Sequence, residues 1–289
     1  MGGQGVKENS RVSAVSELVD IAKSVATEAA EFIRVKRLDA VSVAHTKSSS
    51  SDVVTEVDRT SEKLVFDLLQ RLRPQDGFLG EEGESDDSQS GITWVVDPID
   101  GTTNFVYNIP HYAVSIAAVE GPPTPEEWTL LAGCVVNPTT GEVYSAGAGM
   151  GAFRGTTPLQ VREPVDMQEA LVLTGFAYGA HFRKHQAQLF VDVLPRIRDI
   201  RRMGTASLDL AMVAQGQADV FFERTISPWD FAGGAVVVRE AGGVVTGFHG
   251  GTPGREAVFA GHPEMVARLH DLIVEFGGDI PLSDIPPLG

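Results

Sequence analysis

Trp94-Val95-Val96-Asp97-Pro98-Ile99-Asp100-Gly101-Thr102-Thr103-Asn104 is an apolar run that leads into two closely spaced aspartates. The apolar residues 94–96 predict a strand, which brings Asp97 to the rim of a sheet. Pro98 has no backbone amide to donate to a ladder, so the chain turns there and lets Asp100 face the same point as Asp97. Because hard cations such as Mg²⁺ prefer carboxylate and carbonyl oxygens, the stretch predicts a divalent-metal site.

The end of the same stretch predicts an anion cradle. Gly101 allows a close approach of the backbone to a ligand, and a helical turn opening at Asn104 would aim the amides of 101–103 at an anion. Thr102 adds a hydroxyl group for a water or a phosphate oxygen. The plainer alternative is that both aspartates are turn and helix-capping residues, as in many Asp-Pro and Asp-Gly sequences.

Two further acidic segments favour the metal interpretation. Glu81 follows a predicted amphipathic helix at 60–72 and can supply a carboxylate to the same site, although an acidic stretch is often only a solvated loop. Asp230 stands where a small apolar helix is predicted to begin, and that helix runs to Glu240. Asp230 is therefore either the N-cap of this helix, a metal ligand, or both.

Taken together, these segments resemble the inositol monophosphatase family over roughly residues 12–276. The resemblance rests on Gly80-Glu81-Glu82, the run 97–104, Trp229-Asp230, and Glu240-Ala241-Gly242-Gly243, in the order the family has them. Upstream, Lys47, Asp52, Val54-Thr55 and Asp58 also follow the family's arrangement. The resemblance implies a metal-dependent, lithium-sensitive phosphatase. It also implies a fold that combines α+β and α/β parts, a layered αβαβα sandwich of the inositol monophosphatase and fructose-1,6-bisphosphatase type.

The resemblance also assigns roles to single residues. It implies two or three Mg²⁺ ions per site, with metal ligands Glu81, Asp97, the carbonyl of Ile99, Asp100 and Asp230. It implies that Thr102, held by Asp58, orients the attacking water, and that Glu81 shares the catalytic work. The implied substrate-binding residues are Ile99, Asp100, Gly101, Thr102, Gly204, Thr205, Ala206, Glu223 and Asp230. For 204–206 a loop and N-cap before a helix at 207–215 is the alternative, and for Glu223 a strand-end carboxylate.

The expected reaction is hydrolysis of a small phosphorylated polyol, with myo-inositol 1-phosphate as the first candidate. Thr103 favours this branch, and a carboxylate such as Glu223 suits the hydroxyl groups of a polyol. Fructose 1,6-bisphosphate, histidinol phosphate and adenosine 3′,5′-bisphosphate stay open, because the metal motif fixes the reaction and not the alcohol. An alternative of another class is a protein that binds a macromolecular partner, with phosphatase activity secondary.

Composition agrees with a globular enzyme. The chain has 289 residues, 43% of them hydrophobic, and a net charge of −16, which argues against nucleic-acid or membrane binding through a basic face. The single cysteine, Cys134, lies in an apolar run and is predicted to be a buried core residue. No apolar stretch of transmembrane length and no signal-peptide core are evident, so we expect the cytoplasm. A homodimer is implied by the resemblance only.

The pattern of elements predicts two parts, an N-terminal α+β subdomain at 1–159 with most metal ligands and a C-terminal α/β subdomain at 160–289 with Asp230 and the substrate contacts. Helical stripes come first, then β segments, and helices alternate with strands after about residue 160. The proline-containing tail at 280–289 is expected to lie on the surface or to be disordered.

Three other patterns are predicted to be structural. The glycine-rich run 147–152 matches a dinucleotide-binding fingerprint, but turn residues follow it, so a hairpin is expected. His181 and His185 are expected to be surface histidines of a helix. The basic run of Arg196, Arg198, Arg201 and Arg202 is expected to be a solvated face, with attraction of anions or a subunit contact as alternatives.

Overall fold

The structure is a computed structural model that describes residues 3–44 and 50–287, with side chains described for 11–37 and 56–287. Its helices are α1 (Gly3–Ala44), α2 (Ser50–Leu72), α3 (Thr102–Tyr107), α4 (Ala180–Val193), α5 (Ala206–Ala214), α6 (Pro228–Glu240) and α7 (Pro263–Glu275). Its strands are β1 (Gly77–Gly80), β2 (Ser85–Asp86), β3 (Ile92–Asp100), β4 (Ala113–Glu120), β5 (Thr129–Val136), β6 (Val143–Gly147), β7 (Gly151–Arg154), β8 (Thr157–Pro158), β9 (Leu171–Thr174), β10 (Asp199–Arg201), β11 (Val220–Glu223), β12 (Val244–Thr246) and β13 (Val258–Gly261).

The strands form two sheets. The first is eight-stranded in the order β2-β1-β3-β4-β5-β6-β7-β8, and all its neighbours are antiparallel except β1 and β3. The second is five-stranded in the order β10-β9-β11-β13-β12, with β10, β9 and β11 parallel and β13 antiparallel to its neighbours. Helices α1 and α2 cover the first sheet, α5 and α6 lie between the sheets, and α4 and α7 cover the second. The predicted αβαβα sandwich is confirmed.

Helix α1 covers the first sheet through a stripe of small and branched apolar residues. Leu18, Ala22, Val25, Ala29 and Ile33 recur at helical spacing and are all buried. They pack on the apolar face of strands β3 to β5. The predicted stripe at 12–33 is therefore confirmed from Val15 to Ile33 as the face that packs on the first sheet, whereas Val12 is exposed.

Helix α6 is the central helix of the fold, and two glycines allow it to lie there. A Cβ atom on Gly233 would fall 2.7 Å from the Ser115 hydroxyl of β4, and one on Gly234 would fall 2.6 Å from Leu210 Cβ of α5. Such distances are shorter than any normal contact, so only glycine permits this approach. The close packing fixes α6, and with it Asp230, against the first sheet and α5.

The two sheets use separate parts of the chain, because the first ends at Pro158 and the second begins at Leu171. However, one hydrophobic cluster joins them, with Val95 and Ala117 from the first sheet and Leu173 and Phe221 from the second. The division at 159/160 into two subdomains therefore stays a prediction.

The smaller predictions have mixed outcomes. The run 147–152 forms the hairpin of β6 and β7, with Gly147 paired to Gly151, as predicted. The tail is held on the surface as far as residue 287, with the Ile285 side chain buried. Lys47 lies outside the described residues, and only the backbone of 52–55 is described, within α2. Among the described residues no helix is both long enough and apolar enough to span a membrane.

Candidate metal centre

The turn predicted at Pro98 is an irregularity at the end of β3. Strand β3 pairs with β4 up to Asp97, the register then shifts, and pairing resumes at Asp100. The Ile99 amide donates a hydrogen bond of 2.9 Å to Asp97 Oδ1, which closes the turn. Asp97 and Asp100 thereby point to the same place, and both are almost completely buried.

Asp230 joins these two carboxylates from α6. Ligand oxygens of Asp97, Asp100 and Asp230 all lie within 4.8 Å of one another. The helix begins at Pro228, so Asp230 is its third residue and not its N-cap, which is Ser227. The Ser227 amide donates to Asp230 Oδ2 and the Asp230 amide to the Ser227 carbonyl. The bond from the Ser227 amide is the acidic half of a capping box and orients the Asp230 carboxylate, so one residue serves both the helix terminus and the acidic group.

Asp100 is held by the first turn of α5. The Ser207 amide and hydroxyl group donate hydrogen bonds of 2.7 and 2.6 Å to its Oδ2. These bonds favour the ionised form, but burial opposes them more strongly and raises the pKa of Asp100 to about 7. Sequence reasoning did not assign Ser207 to the site. The only available signal was its position directly after the predicted segment 204–206.

Glu81 enters the cluster from the loop that follows β1. Desolvation of its carboxyl group, together with the negative charges of Asp100, Glu82 and Glu62, raises its pKa to about 7. The loop is held by the buried carboxylate of Glu62 on α2, which accepts the amides of Glu82 at 2.7 Å and Glu84 at 2.9 Å. Gly80 makes room for this contact, since a Cβ atom there would collide with Glu62. Glu62 was not identified from the sequence.

The charge state of the cluster indicates what it can bind. Burial and the neighbouring carboxylates raise the pKa of Asp230 to about 7 and that of Asp97 well above its usual value. Four carboxyl groups, of which those of Asp97 and Asp100 are buried and that of Asp230 is half-buried, therefore repel one another in one place. Their donors are all oxygen atoms, which is the set that a hard divalent cation requires. The residues present thus fit Mg²⁺.

The cluster lies at the bottom of a cleft of about 300 Å³. The residues that line this cleft are Glu81, Asp97, Ile99, Asp100, Gly101, Thr102, Ala177, Tyr178, Gly179, Phe182, Thr225, Ser227, Trp229, Asp230 and Arg255. No motif marks several of these residues, and the sequence did not assign them: Ala177, Tyr178, Gly179, Phe182, Thr225, Ser227 and Arg255. They come from the connection after β9, the first turn of α4, the loop before α6 and the loop before β13, and only the fold brings these segments together.

The predicted helical turn is present as α3, but it begins at Thr102, directly after Gly101, and not at Asn104 as predicted. Gly101 is left-handed, with φ of 95°, and a Cβ atom on it would collide with the Thr205 hydroxyl group. The Thr102 hydroxyl group donates to the Ile99 carbonyl at 3.2 Å and not to Asp58 as predicted. Asp58 is buried, its Oδ1 has no hydrogen-bond partner among the described residues, and burial raises its pKa to about 8. Its catalytic role stays a prediction.

Of the predicted substrate residues outside the turn, Asp230 lines the cleft, whereas Gly204, Thr205, Ala206 and Glu223 do not. Thr205 is the N-cap residue of α5, and its hydroxyl group donates to the His111 carbonyl at 2.9 Å. Gly204, with φ of 87°, closes the loop before it. Glu223 ends β11, and burial together with Asp230 and Asp100 raises its pKa to about 8. Contact of these residues with a substrate stays a prediction.

The basic run and the histidine pair do not line the cleft. Arg196 pairs with Glu275 at 3.6 Å, and Arg201 pairs with Asp199. Both arginine side chains are about half exposed, as expected for a solvated face. His181 and His185 lie on α4, and among the described residues neither belongs to a group that can hold a metal.

Comparison with known proteins gives one consistent result. Residues 14–275 match the inositol monophosphatase family. The chain is 40% identical over 285 residues to inositol-1-monophosphatase of Mycobacterium leprae, covering 91% of this chain and 96% of that protein. It is 35% identical over 262 residues to Nus factor SuhB of Escherichia coli, covering 87% and 94%.

Solved structures agree with the sequence comparison. Mycobacterium tuberculosis SuhB superposes with a TM-score of 0.78 at 38% identity, covering 92% of this chain and 98% of that one. Inositol monophosphatase from Anabaena gives a TM-score of 0.77 at 28% identity. Family, fold and acidic cleft therefore point the same way, and this chain belongs to the inositol monophosphatase family of phosphatases.

Proposed function

We propose that this phosphatase hydrolyses a small phosphate monoester with Mg²⁺ as cofactor, and that myo-inositol 1-phosphate is its substrate. The observation that carries the proposal is that the buried carboxylates of Asp97 and Asp100, the half-buried carboxylate of Asp230 and Glu81 all line one cleft. An acidic cluster of this kind repels a phosphate unless a cation neutralises it.

Glu81, Asp97, the Ile99 carbonyl, Asp100 and Asp230 would hold the cations, two or three in number. Bound Mg²⁺ supplies positive charge to the phosphate oxygens and lowers the pKa of water. Since phosphoryl transfer is catalysed mainly by positioning and charge neutralisation, no protein nucleophile is needed. Cys134 agrees with this, because complete burial raises the pKa of its thiol to about 12.

The chain's own groups would orient the reactants. The backbone of Gly101 and Thr102 at the start of α3 faces the cleft and provides amide donors for the phosphate oxygens. The Thr102 hydroxyl group, one helical turn from the Ile99 carbonyl, would position the attacking water, with Asp58 and Glu81 accepting protons. The pKa of Glu81, about 7 by burial, lies where a general base is effective near neutral pH.

The size and polarity of the cleft support a small polyol ester. A volume of about 300 Å³ is at the lower limit of ligand sites and suits a single ring better than a dinucleotide. Glu223 ends β11 two residues before Thr225 of the cleft wall and would offer a carboxylate for ring hydroxyl groups, and Gly204, Thr205 and Ala206 would complete the alcohol side. Fructose 1,6-bisphosphate, histidinol phosphate and adenosine 3′,5′-bisphosphate are the runner-up substrates.

The test is phosphate release by the purified protein from these four esters, with Mg²⁺, with chelator, and with added Li⁺. We expect Mg²⁺-dependent, Li⁺-inhibited hydrolysis with myo-inositol 1-phosphate preferred. Asp97→Asn should lower kcat/KM by at least about 100-fold, because it removes a charged ligand but keeps the shape and the acceptor for the Ile99 amide. Asp219→Asn is the control, since Asp219 is buried at the start of the second sheet and bonds to the Leu171 amide away from the cleft. Preference for another ester would change the proposed substrate and leave the proposed metal centre intact. Full activity of D97N would refute the assignment of Asp97 as a metal ligand.

A second proposal concerns macromolecular partners, and the name Nus factor of the Escherichia coli relative motivates it. A partner role would survive Asp97→Asn while hydrolysis is lost, which separates the two functions. The net charge of −16 favours a protein partner over direct contact with nucleic acid. We also propose a homodimer and a cytoplasmic location. Size-exclusion chromatography with light scattering would test the dimer, and cell fractionation would test the location.

A further inference from the structure

Arg224 is a buried arginine next to Thr225, which lines the cleft. It follows β11 and is only 1% exposed. Its Nε donates to the Glu256 carbonyl at 2.7 Å, its Nη1 to the Gly278 carbonyl at 2.8 Å, and its Nη2 to the Ile280 carbonyl at 2.7 Å. Nη2 also pairs with the Glu256 carboxylate at 3.0 Å. A buried guanidinium is tolerated only when its donors are matched in this way.

The acceptors belong to two segments that contain no strand of the sheet. One is the loop that carries Arg255 and Glu256, and the other is the C-terminal segment from Gly278 onward. The Glu256 carboxylate also accepts the Leu282 amide at 3.0 Å, so the two segments are fastened to each other as well. Arg224 is the common centre of these contacts, and its guanidinium lies over the Phe248 ring at 5.4 Å.

The residue after Arg224 has an unusual backbone. Thr225 adopts the left-handed conformation, with φ of 70°, although β-branched residues strongly disfavour it. Its amide donates to the Arg255 carbonyl at 2.7 Å, so the loop fastened by Arg224 is also the loop that holds Thr225. Such a conformation persists only where several surrounding contacts hold the backbone in place.

Thr225 and Arg255 both line the cleft, together with Asp230. The other neighbour of Arg224 in the chain is Glu223, which is partly buried and whose pKa is raised by burial and by the nearby charges of Asp230 and Asp100. This side of the cleft is separate from the metal ligands of β3, which stand on the first sheet.

We infer that Arg224 is a positioning residue: its buried guanidinium, through the 254–257 loop, holds Thr225 in the left-handed conformation and so fixes the wall that receives the alcohol part of the phosphate ester. The inference rests on the proposed function for the nature of the substrate. It assigns Arg224 no contact with the reacting atoms. Loss of the guanidinium should therefore weaken binding of a polyol ester and leave the phosphate chemistry nearly unchanged.

A double-mutant cycle with Arg224→Met and Thr225→Gly tests this inference. R224M should raise KM for myo-inositol 1-phosphate by about tenfold and change kcat by less than about threefold. With p-nitrophenyl phosphate, which has no ring hydroxyl groups, both constants should stay within about twofold. In the T225G background R224M should raise KM by less than about threefold, because glycine adopts the left-handed conformation without support.

Arg73→Met is the matched control. Arg73 is also a partly buried arginine, bonded to Asp76 at 2.9 Å, but it lies after α2 and away from the cleft. Its loss should lower Tm and leave KM unchanged. Equal KM effects of R224M in both backgrounds, or equal losses with both esters, would show a merely structural role and overturn the inference. If R224M does not fold, Arg224→Lys, which keeps the charge but not the fork of donors, takes its place in the cycle.

Amide hydrogen exchange separates failure of the inference from failure of the proposed function. R224M should accelerate exchange in peptides that cover 221–229 and 252–258, and R73M should not. Unchanged exchange in R224M overturns the positioning role whatever the substrate. If the wild-type protein prefers another ester, the proposed substrate is wrong. The same double-mutant cycle is then measured with the preferred ester, and its result decides the positioning role.

Discussion

The acidic centre should make the stability of the metal-free protein fall as the pH rises. Burial places the pKa of Glu81, Asp100 and Asp230 at about 7 in the folded protein, from usual values of 4.5, 3.8 and 3.8. These groups hold protons in the folded chain that the unfolded chain has released, so the stability they supply is complete below about pH 4 and lost as the pH rises through about 7. Bound Mg²⁺ should replace the missing protons.

The size of the effect follows from one group. Between pH 5 and pH 8, a carboxyl group with a folded pKa of about 7 and an unfolded pKa of about 4 loses about 3 kcal/mol of stabilisation. Because the carboxyl groups repel one another, their free-energy contributions do not add, and about 3 kcal/mol is the estimate for the whole cluster. For a chain of this length that amounts to roughly 6 °C in Tm.

Thermal unfolding after chelation, followed by addition of Mg²⁺ in buffers from pH 5 to pH 8, measures this. We expect the metal-free Tm to fall by roughly 6 °C between the two limits, and added Mg²⁺ to raise Tm by at least that amount at pH 8 and by less than about 2 °C at pH 5. Asp97→Asn should raise the metal-free Tm at pH 8 and remove most of the response to Mg²⁺.

Asp209→Asn is the control for this experiment. Asp209 is buried on α5, its Oδ1 has no partner among the described residues, and burial raises its pKa well above the usual value. It is not part of the group that can hold a cation. Its loss should raise the metal-free Tm at pH 8 and leave the response to Mg²⁺ intact. A metal-free Tm that does not change from pH 5 to pH 8, or an equal response to Mg²⁺ at both limits, would refute the reasoning.

Three further predictions address single contacts. Ser207→Ala removes two hydrogen bonds to Asp100 and should weaken Mg²⁺ activation by about tenfold, which a titration of activity against Mg²⁺ would show; an unchanged titration would contradict the role of Ser207. Gly234→Ala places a methyl group 2.6 Å from Leu210 Cβ and should cost about 1–3 kcal/mol in a denaturant titration, and no loss would mean that α5 and α6 can separate freely. Cys134 should react with a thiol reagent only after unfolding, since burial raises the pKa of its thiol to about 12; rapid reaction of the native protein would disprove this.

Local sequence predicted the parts of the site that one segment builds. Asp97, Pro98 and Asp100 specify a turn by their own chemistry, and the structure shows that turn. The helix and sheet layers could also be predicted, because the spacing of apolar residues within one helix or strand is a local property of the sequence. The resemblance added Asp230, whose place at the third position of α6 depends on Ser227.

The contacts that sequence reasoning missed are those made between distant segments. Glu62 supports the Glu81 loop from α2, and Ser207 supports Asp100 from α5. Nothing in the local sequence of either residue announces such a partner. The same holds for Arg224, where a charged residue next to a strand usually faces solvent, and only the fold supplies the carbonyl groups that allow it to be buried.

The position of Asp230 on the central helix α6 has a consequence for biosynthesis. Asp97 and Asp100 leave the ribosome more than a hundred residues before Asp230. The first sheet can pair its own strands at that stage, but the layer that carries the remaining carboxylate does not yet exist. A nascent chain therefore has no complete cation site, and metal loading becomes a late event that reports completion of the fold.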